Sequence, residues 1–450
     1  MPTTAETLAD FLIATRFEDL PEQTIDYAAM IIASTLASAA CGRHIESAKV
    51  IRDIEVERGG RPDATLWFEP TIKLPMVGAA RANALMSDAA ASDDSDLRNI
   101  VHAGTPLTAT ALAIAEKTGA SGRDVLAAIV LGYEAAGRMG EAIIPRFDYR
   151  GHHGCMGAAF AATGAAVRLL GLDARQAAHA IVLTATSIGG VTQAANTSVS
   201  REYHAGAVTM AGIEAAQAAK HGFTGELALL EMERGFCQLF GGPEADAAGI
   251  TRDLGKSWDI VTDMAIKLVP GAHPYHALAE AAANAAREGN IAPGDIAAIV
   301  VSRPGWTKLP GPLHPDDLIS MAHSPAFFIA AAAHDKRFGW EHAGPEKIAE
   351  PGIHALIGKV RLGPQPADAT GYRQGATVTI ETTDGRKVTN TVLIPKGAAS
   401  LGIDWADIDA KYRALVPNAP LSKEKIDASL ASIKGLRSAR NVSELISLLG

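Results

Sequence analysis

The sequence predicts a mainly α-helical protein carrying a smaller α+β module late in the chain. Three observations lead there. Helix start and stop signals recur through residues 1–265, strand and hairpin signals are confined to 266–399, and helical patterning returns over 400–450. Two domains follow, an all-helical one over 1–265 completed by 400–450, and an α+β one over 266–399.

In the first domain, Pro21 stands at a first helical position and Gly42 closes the segment 22–41. Thr105-Pro106 opens a helix that reaches Lys117 and stops at Gly119. Ser121-Gly-Arg-Asp124 has the form of a capping box, in which side chain and backbone exchange hydrogen bonds across the first turn, ahead of 125–140. Asp173-Ala-Arg-Gln176 repeats the device ahead of 177–187, and a further helix over 207–220 ends at Gly222. In the second domain, Pro293-Gly294 introduces a strand over 296–301, and Asp384-Gly385 turns a hairpin between 376–381 and 387–394. Helices over 277–287 and 326–333 accompany these strands. The tail carries caps at Ser422 and Asn441.

The balance of 41 Lys plus Arg against 50 Asp plus Glu gives a formal charge of −9, which offers no basic stripe for nucleic acid. Aromatic residues are only 5%, so the helices are expected to pack closely on small side chains. Three scattered cysteines, Cys41, Cys155 and Cys237, form no disulfide framework or zinc cluster and suit a reducing compartment. The nearest uncharged apolar run, 29–41, falls short of the roughly 20 residues that span a bilayer. A soluble cytoplasmic protein, with neither membrane nor nucleic acid as partner, is the expectation.

Common cofactor motifs fail. Gly255-Lys256-Ser257 looks like the end of a phosphate loop, but Ile250 stands where its first glycine is required. Four polar, histidine-bearing segments remain, each ahead of a helix: 92–106 with Asp93, Asp94, Ser95 and His102; 149–155 with His152; 200–206 with Arg201, Tyr203 and His204; and 267–276 with Lys267 and His276. Helix N-termini supply N–H donors and a positive dipole end, which suits carboxylate ligands. Each segment also has a plain reading, as caps, surface turns or solvated pairs.

Taken in order, the segments resemble the MmgE/PrpD family. The resemblance lies in DDS…HAG over 93–104, RLLGLDARQ over 168–176, SREYHAG over 200–206, HGFTG over 221–225, KLVPGAHPYHA over 267–277 and AHSPAFFIAAAAHD over 322–335. It implies the two-domain architecture above, a homodimer, no required cofactor or metal, and chemistry on a small di- or tricarboxylate. A hydro-lyase is the first expectation; a dicarboxylate epimerase or isomerase, a decarboxylase and a non-catalytic carboxylate-binding homologue are the others. His102, His152 and His276 fall on the family's recurrent histidines and are expected as acid, base and relay. Arg201 and Lys267 would anchor carboxylates, with Ser95, Tyr203 and His204 beside them. Asp93 or Asp94 would orient a histidine or cap the following helix. Three positions depart from the family pattern: Ala91 replaces an aspartate, Arg201 a lysine and Phe327 a tyrosine.

Overall fold

A computed structural model describes residues 1–144, 151, 153–192 and 198–450. The chain divides into two compact units. The first extends to Ile266 and is joined by Asp404–Gly450; the second is Lys267–Ile403.

Unit 1 is built from α1 (Thr4–Ala14), α2 (Glu22–Gly42), α3 (Glu46–Arg58), α4 (Met76–Ala89), α5 (Gly104–Thr118), α6 (Gly122–Ile143), α7 (His153–Leu169), α8 (Ala174–Ser187) and α9 (Ser200–Lys220). The capping signals at Gly119, Ser121 and Asp173 act as read, whereas Pro21 stands one residue before its helix and Gly42 within it. Ser121 with Asp124 and Asp173 with Gln176 form reciprocal boxes, and Gly119 takes the left-handed conformation that ends α5. Two short ribbons interrupt the helices, β1 (Ala64–Thr65) with β2 (Lys73–Leu74), and β3 (Asp94–Asp96) with β4 (Met264–Ile266).

Two elements differ from expectation. Helix α2 is long and apolar enough to cross a membrane by length and composition, because its charges sit only in the first turns. Its most apolar window is 89% buried, so that apolar surface is used in packing within the unit. Helix α9 begins at Ser200, so residues 200–206 form its first turns and not a loop. Polar composition suggested a loop, but Arg201 and Glu202 are buried with partners of their own and have no reason to break the helix.

The small side chains allow close helix approach. A Cβ on Gly164 of α7 would lie 2.9 Å from the Cα of Gly132 on α6, and one on Gly132 would lie 2.7 Å from the carbonyl oxygen of Ala161. Backbone meets backbone there, so neither position can relax by moving a side chain.

Unit 2 holds a four-stranded sheet in the order β6 (Val360–Leu362), β5 (Ile296–Ser302), β7 (Ala376–Thr382), β8 (Lys387–Val392). Strand β6 runs parallel to β5; the β5–β7 and β7–β8 pairs are antiparallel. Ile299, Val301, Val378 and Ile380 face inward against α10 (His276–Glu288) and α11 (Pro325–Asp335). Gly385, at φ 89°, makes the left-handed step of the predicted hairpin. Strand β6 escaped the sequence reading because three residues, one an exposed arginine, carry no alternation to detect.

Replacing Gly132 by Val is expected to force α6 and α7 apart and lower stability by about 1–3 kcal/mol, measured by urea unfolding against the wild type.

Candidate active site

The polar segment 92–104 folds around β3. Lys411, on the C-terminal helix Trp405–Leu415, is buried and donates to the Ser34 hydroxyl (2.7 Å) and to the Ser92 carbonyl. The Ser38 hydroxyl donates to that same carbonyl at 2.7 Å. The returning tail therefore fixes the residue that precedes Asp93. Ala91 is held at φ 50°, a left-handed conformation that aspartate tolerates better than alanine.

The two aspartates divide the two roles open to them. Asp93, almost fully buried, places Oδ2 2.6 Å from Nδ1 of His102. The same Nδ1 lies 2.9 Å from the Asp94 carbonyl oxygen. With two oxygens at Nδ1, the ring proton belongs there, and Nε2 carries the lone pair. The His102 backbone N–H donates to the Gly154 carbonyl at 2.9 Å, so the first turn of α7 fixes the stretch of backbone that carries the imidazole. Asp94 turns the opposite way and accepts the Gly104 N–H at 2.9 Å, capping α5. Burial, and then the Asp93 charge, push the Asp94 carboxyl up to about 6.

Beside this pair, Arg201 of α9 reaches the end of α4. Its Nη2 lies 3.1 Å from Oδ2 of Asp88 and donates to the Asp88 carbonyl at 2.8 Å. Burial opposes the guanidinium charge, but Asp88, followed by Asp93 and Glu202, raises its pKa. Cys155 also sits here, and burial holds its thiol well above its ordinary pKa, so it is no thiolate nucleophile. Burial pushes the neighbouring Glu202 carboxyl up to about 7 against the hydrogen bond from Ser47. Ser95 is buried within β3. Tyr203 is exposed, with the Arg81 guanidinium 5.5 Å from its ring centre. His204 is half-buried, and burial lowers its pKa.

Behind β3 lies a second acidic layer. Asp96 and Glu134 are pushed up to about 7 and about 8, by burial first and the Asp259 charge second. The Glu134 carboxylate accepts from Arg138 Nε (2.6 Å) and from the Asp259 N–H (2.8 Å). Arg98 answers Asp259 at 2.8 Å.

Within unit 2, Lys267 is fully buried, and Nε2 of His276 lies 3.2 Å from the Gly271 carbonyl. The His273 ring stands 4.6 Å from that of His276, centre to centre. Phe327 is buried in the unit 2 core, so an apolar ring at that departure from the family pattern suits its surroundings. His152 lies outside the described residues. Among the described residues, one trio could hold a metal ion, His334, Asp335 and Glu350. The Lys347 ammonium already stands 2.6 Å from Asp335 Oδ2 and 2.6 Å from Glu350 Oε2, which supplies the cation those carboxylates need.

Sequence reasoning missed Asp88, although a signal existed. A carboxylate in the last turn of a helix opposes the helix dipole and therefore requires a cation from elsewhere. It also missed the layer of Asp96, Glu134 and Asp259, whose members are far apart in the chain.

Arg201→Met is expected to destabilise the protein by about 3–5 kcal/mol by leaving Asp88 buried without its cation. Adding Asp88→Asn should restore most of the loss in a double-mutant cycle. Asp94, Asp96 and Glu202 are more basic folded than unfolded, so their contribution is full below about pH 4 and is lost as pH rises through about 6–7. The melting temperature is expected to fall between pH 5 and pH 8, roughly, and Asp96→Asn should flatten that slope.

The MmgE/PrpD N-terminal domain matches residues 6–247, and the MmgE/PrpD C-terminal domain matches residues 270–432. The chain is similar along its whole length to two curated proteins. Human cis-aconitate decarboxylase is 24% identical, the alignment covering 99% of this chain and 94% of that protein. The cis-aconitate decarboxylase-like protein oryM of Aspergillus oryzae is 25% identical, with 99% and 97% covered. With both domain families matched in order over most of its length, the chain belongs to the MmgE/PrpD family.

Proposed function

We propose that this protein is a lyase acting on a small di- or tricarboxylate, in which His102 moves the proton at the carbon next to a carboxylate. The observation that carries the reading is the 2.6 Å contact of Asp93 with Nδ1 of His102, which leaves Nε2 as a base. Removing a proton α to a carboxylate builds enolate-like charge and turns His102 into an imidazolium. The buried Asp93 carboxylate stabilises that cation and holds its ring. For dehydration, expulsion of the β-hydroxyl then needs a proton, for which His152 and His276 are the candidates. Both Asp88 contacts of Arg201 use Nη2, so the remaining guanidinium donors suit a substrate carboxylate. Lys267 is the second candidate anchor.

Decarboxylation is the other reading, favoured by the full-length similarity to two proteins named as cis-aconitate decarboxylases. There His102 would first take a proton from solvent at Nε2 and, as the imidazolium, give that proton to the carbon that loses carbon dioxide. We also take the protein to be a cytoplasmic homodimer. The exposed Val199, Tyr203 and Phe223 at the two ends of α9 offer apolar surface to a second copy, and the three free cysteines suit a reducing compartment.

Incubation with hydroxy-tricarboxylates and with cis-aconitate, following alkene absorbance and carbon dioxide release separately, decides between the two. On the substrate that reacts, His102→Ala and Asp93→Asn are each expected to lower kcat by about 10²-fold or more. Full activity in His102→Ala would remove the assignment, and silence across the whole panel would remove the lyase.

A further inference from the structure

Unit 2 contains a groove of about 290 Å³, of whose lining the reading above uses His276 alone. One face of α10 forms its floor. His276, Ala279, Glu280, Ala283, Asn284 and Arg287 follow helical spacing, and the two alanines make a trough between longer side chains. Leu268 and Val269 add apolar wall. Phe338 lines it too. Its ring is stacked with those of Phe328, at 4.6 Å, and His342, at 4.7 Å, which hold it in place.

Three cations reach this groove from separate parts of the chain, Arg287, Arg337 and Lys396. Arg287 occupies the last turn of α10, where the helix dipole favours a cation in any case. Arg337, outside any helix, has no such explanation. Among the described residues no carboxylate pairs with Arg287, whose guanidinium donates to the Asn284 amide oxygen. Arg337 meets Glu341 at 2.9 Å in a pair that is 67% and 36% exposed, which solvent weakens and a ligand can replace. The single carboxylate in the groove, Glu280, is occupied by the Lys396 backbone N–H at 3.1 Å. In a chain of net charge −9, the groove is locally cationic over an apolar floor.

We propose that this groove binds a small organic anion, one with a compact apolar body and a carboxylate or phosphate group that the two arginines clamp. The volume accommodates a body of the size of a single aromatic ring with its anionic group. Neither Asp93 nor His102 lines the groove, and the proposal stands whether or not the lyase reading does.

Calorimetric titration of the full chain with benzoate and with phenyl phosphate tests it, the two arms distinguishing carboxylate from phosphate. At least one probe is expected to bind with a Kd below about 1 mM, more weakly at high salt and equally well to His102→Ala. Arg287→Ala/Arg337→Ala, which alters two exposed side chains, should weaken it by about tenfold or more. Absence of binding by both probes to the wild type would overturn the proposal. So would a Kd unchanged in the double variant, or binding abolished by His102→Ala.

Discussion

The unit 1 site depends on one constraint: an ionised carboxylate cannot be buried without a hydrogen-bonding or cationic partner. Unit 1 buries Asp88, Asp93, Asp94, Asp96, Glu134 and Asp259, and the architecture around them reads as a set of answers to that demand. Arg201 is brought to Asp88, His102 to Asp93, the α5 N-terminus to Asp94, and Arg98 and Arg138 to the deeper layer. The charged residues come from helices and loops distant in sequence, so the electrostatic pairing also specifies how those helices assemble.

Neighbouring carboxylates receive different properties from this arrangement. Asp93 and Asp94 are adjacent in sequence, but only Asp94 belongs to β3, and their carboxylates find different partners. One meets an imidazole and the other a helix terminus. The raised pKa of Asp94 follows from burial next to the Asp93 charge, so the site holds one carboxyl of reduced acidity beside another committed to a base. Lys411 adds support from the far end of the chain by fixing Ser92, which explains why the segment near residue 93 needs a C-terminal helix.

Much of the fold was legible in the residues themselves. Capping boxes at Ser121 and Asp173, the glycine stop at Gly119 and the Asp384-Gly385 hairpin are local signals, and local hydrogen bonds decide them. The start of α9 was misplaced because its polar first turns look solvated until Asp88 and Ser47 are seen to receive Arg201 and Glu202. The β3–β4 ribbon was invisible for a related reason: three-residue strands about 170 residues apart have no periodicity to detect.

For the site, the sequence alone determined the chemical types and their order: carboxylates and histidines ahead of helices, the cations Arg201 and Lys267, and with them the family. Those follow from residue identity and spacing. Only the tertiary structure decided that the carboxylate of Asp93 and not that of Asp94 meets His102, that Asp88 receives Arg201, and that Cys155 is kept a thiol. The physical reason is that partnership and protonation depend on burial and on distances of a few ångströms between groups that the chain keeps far apart.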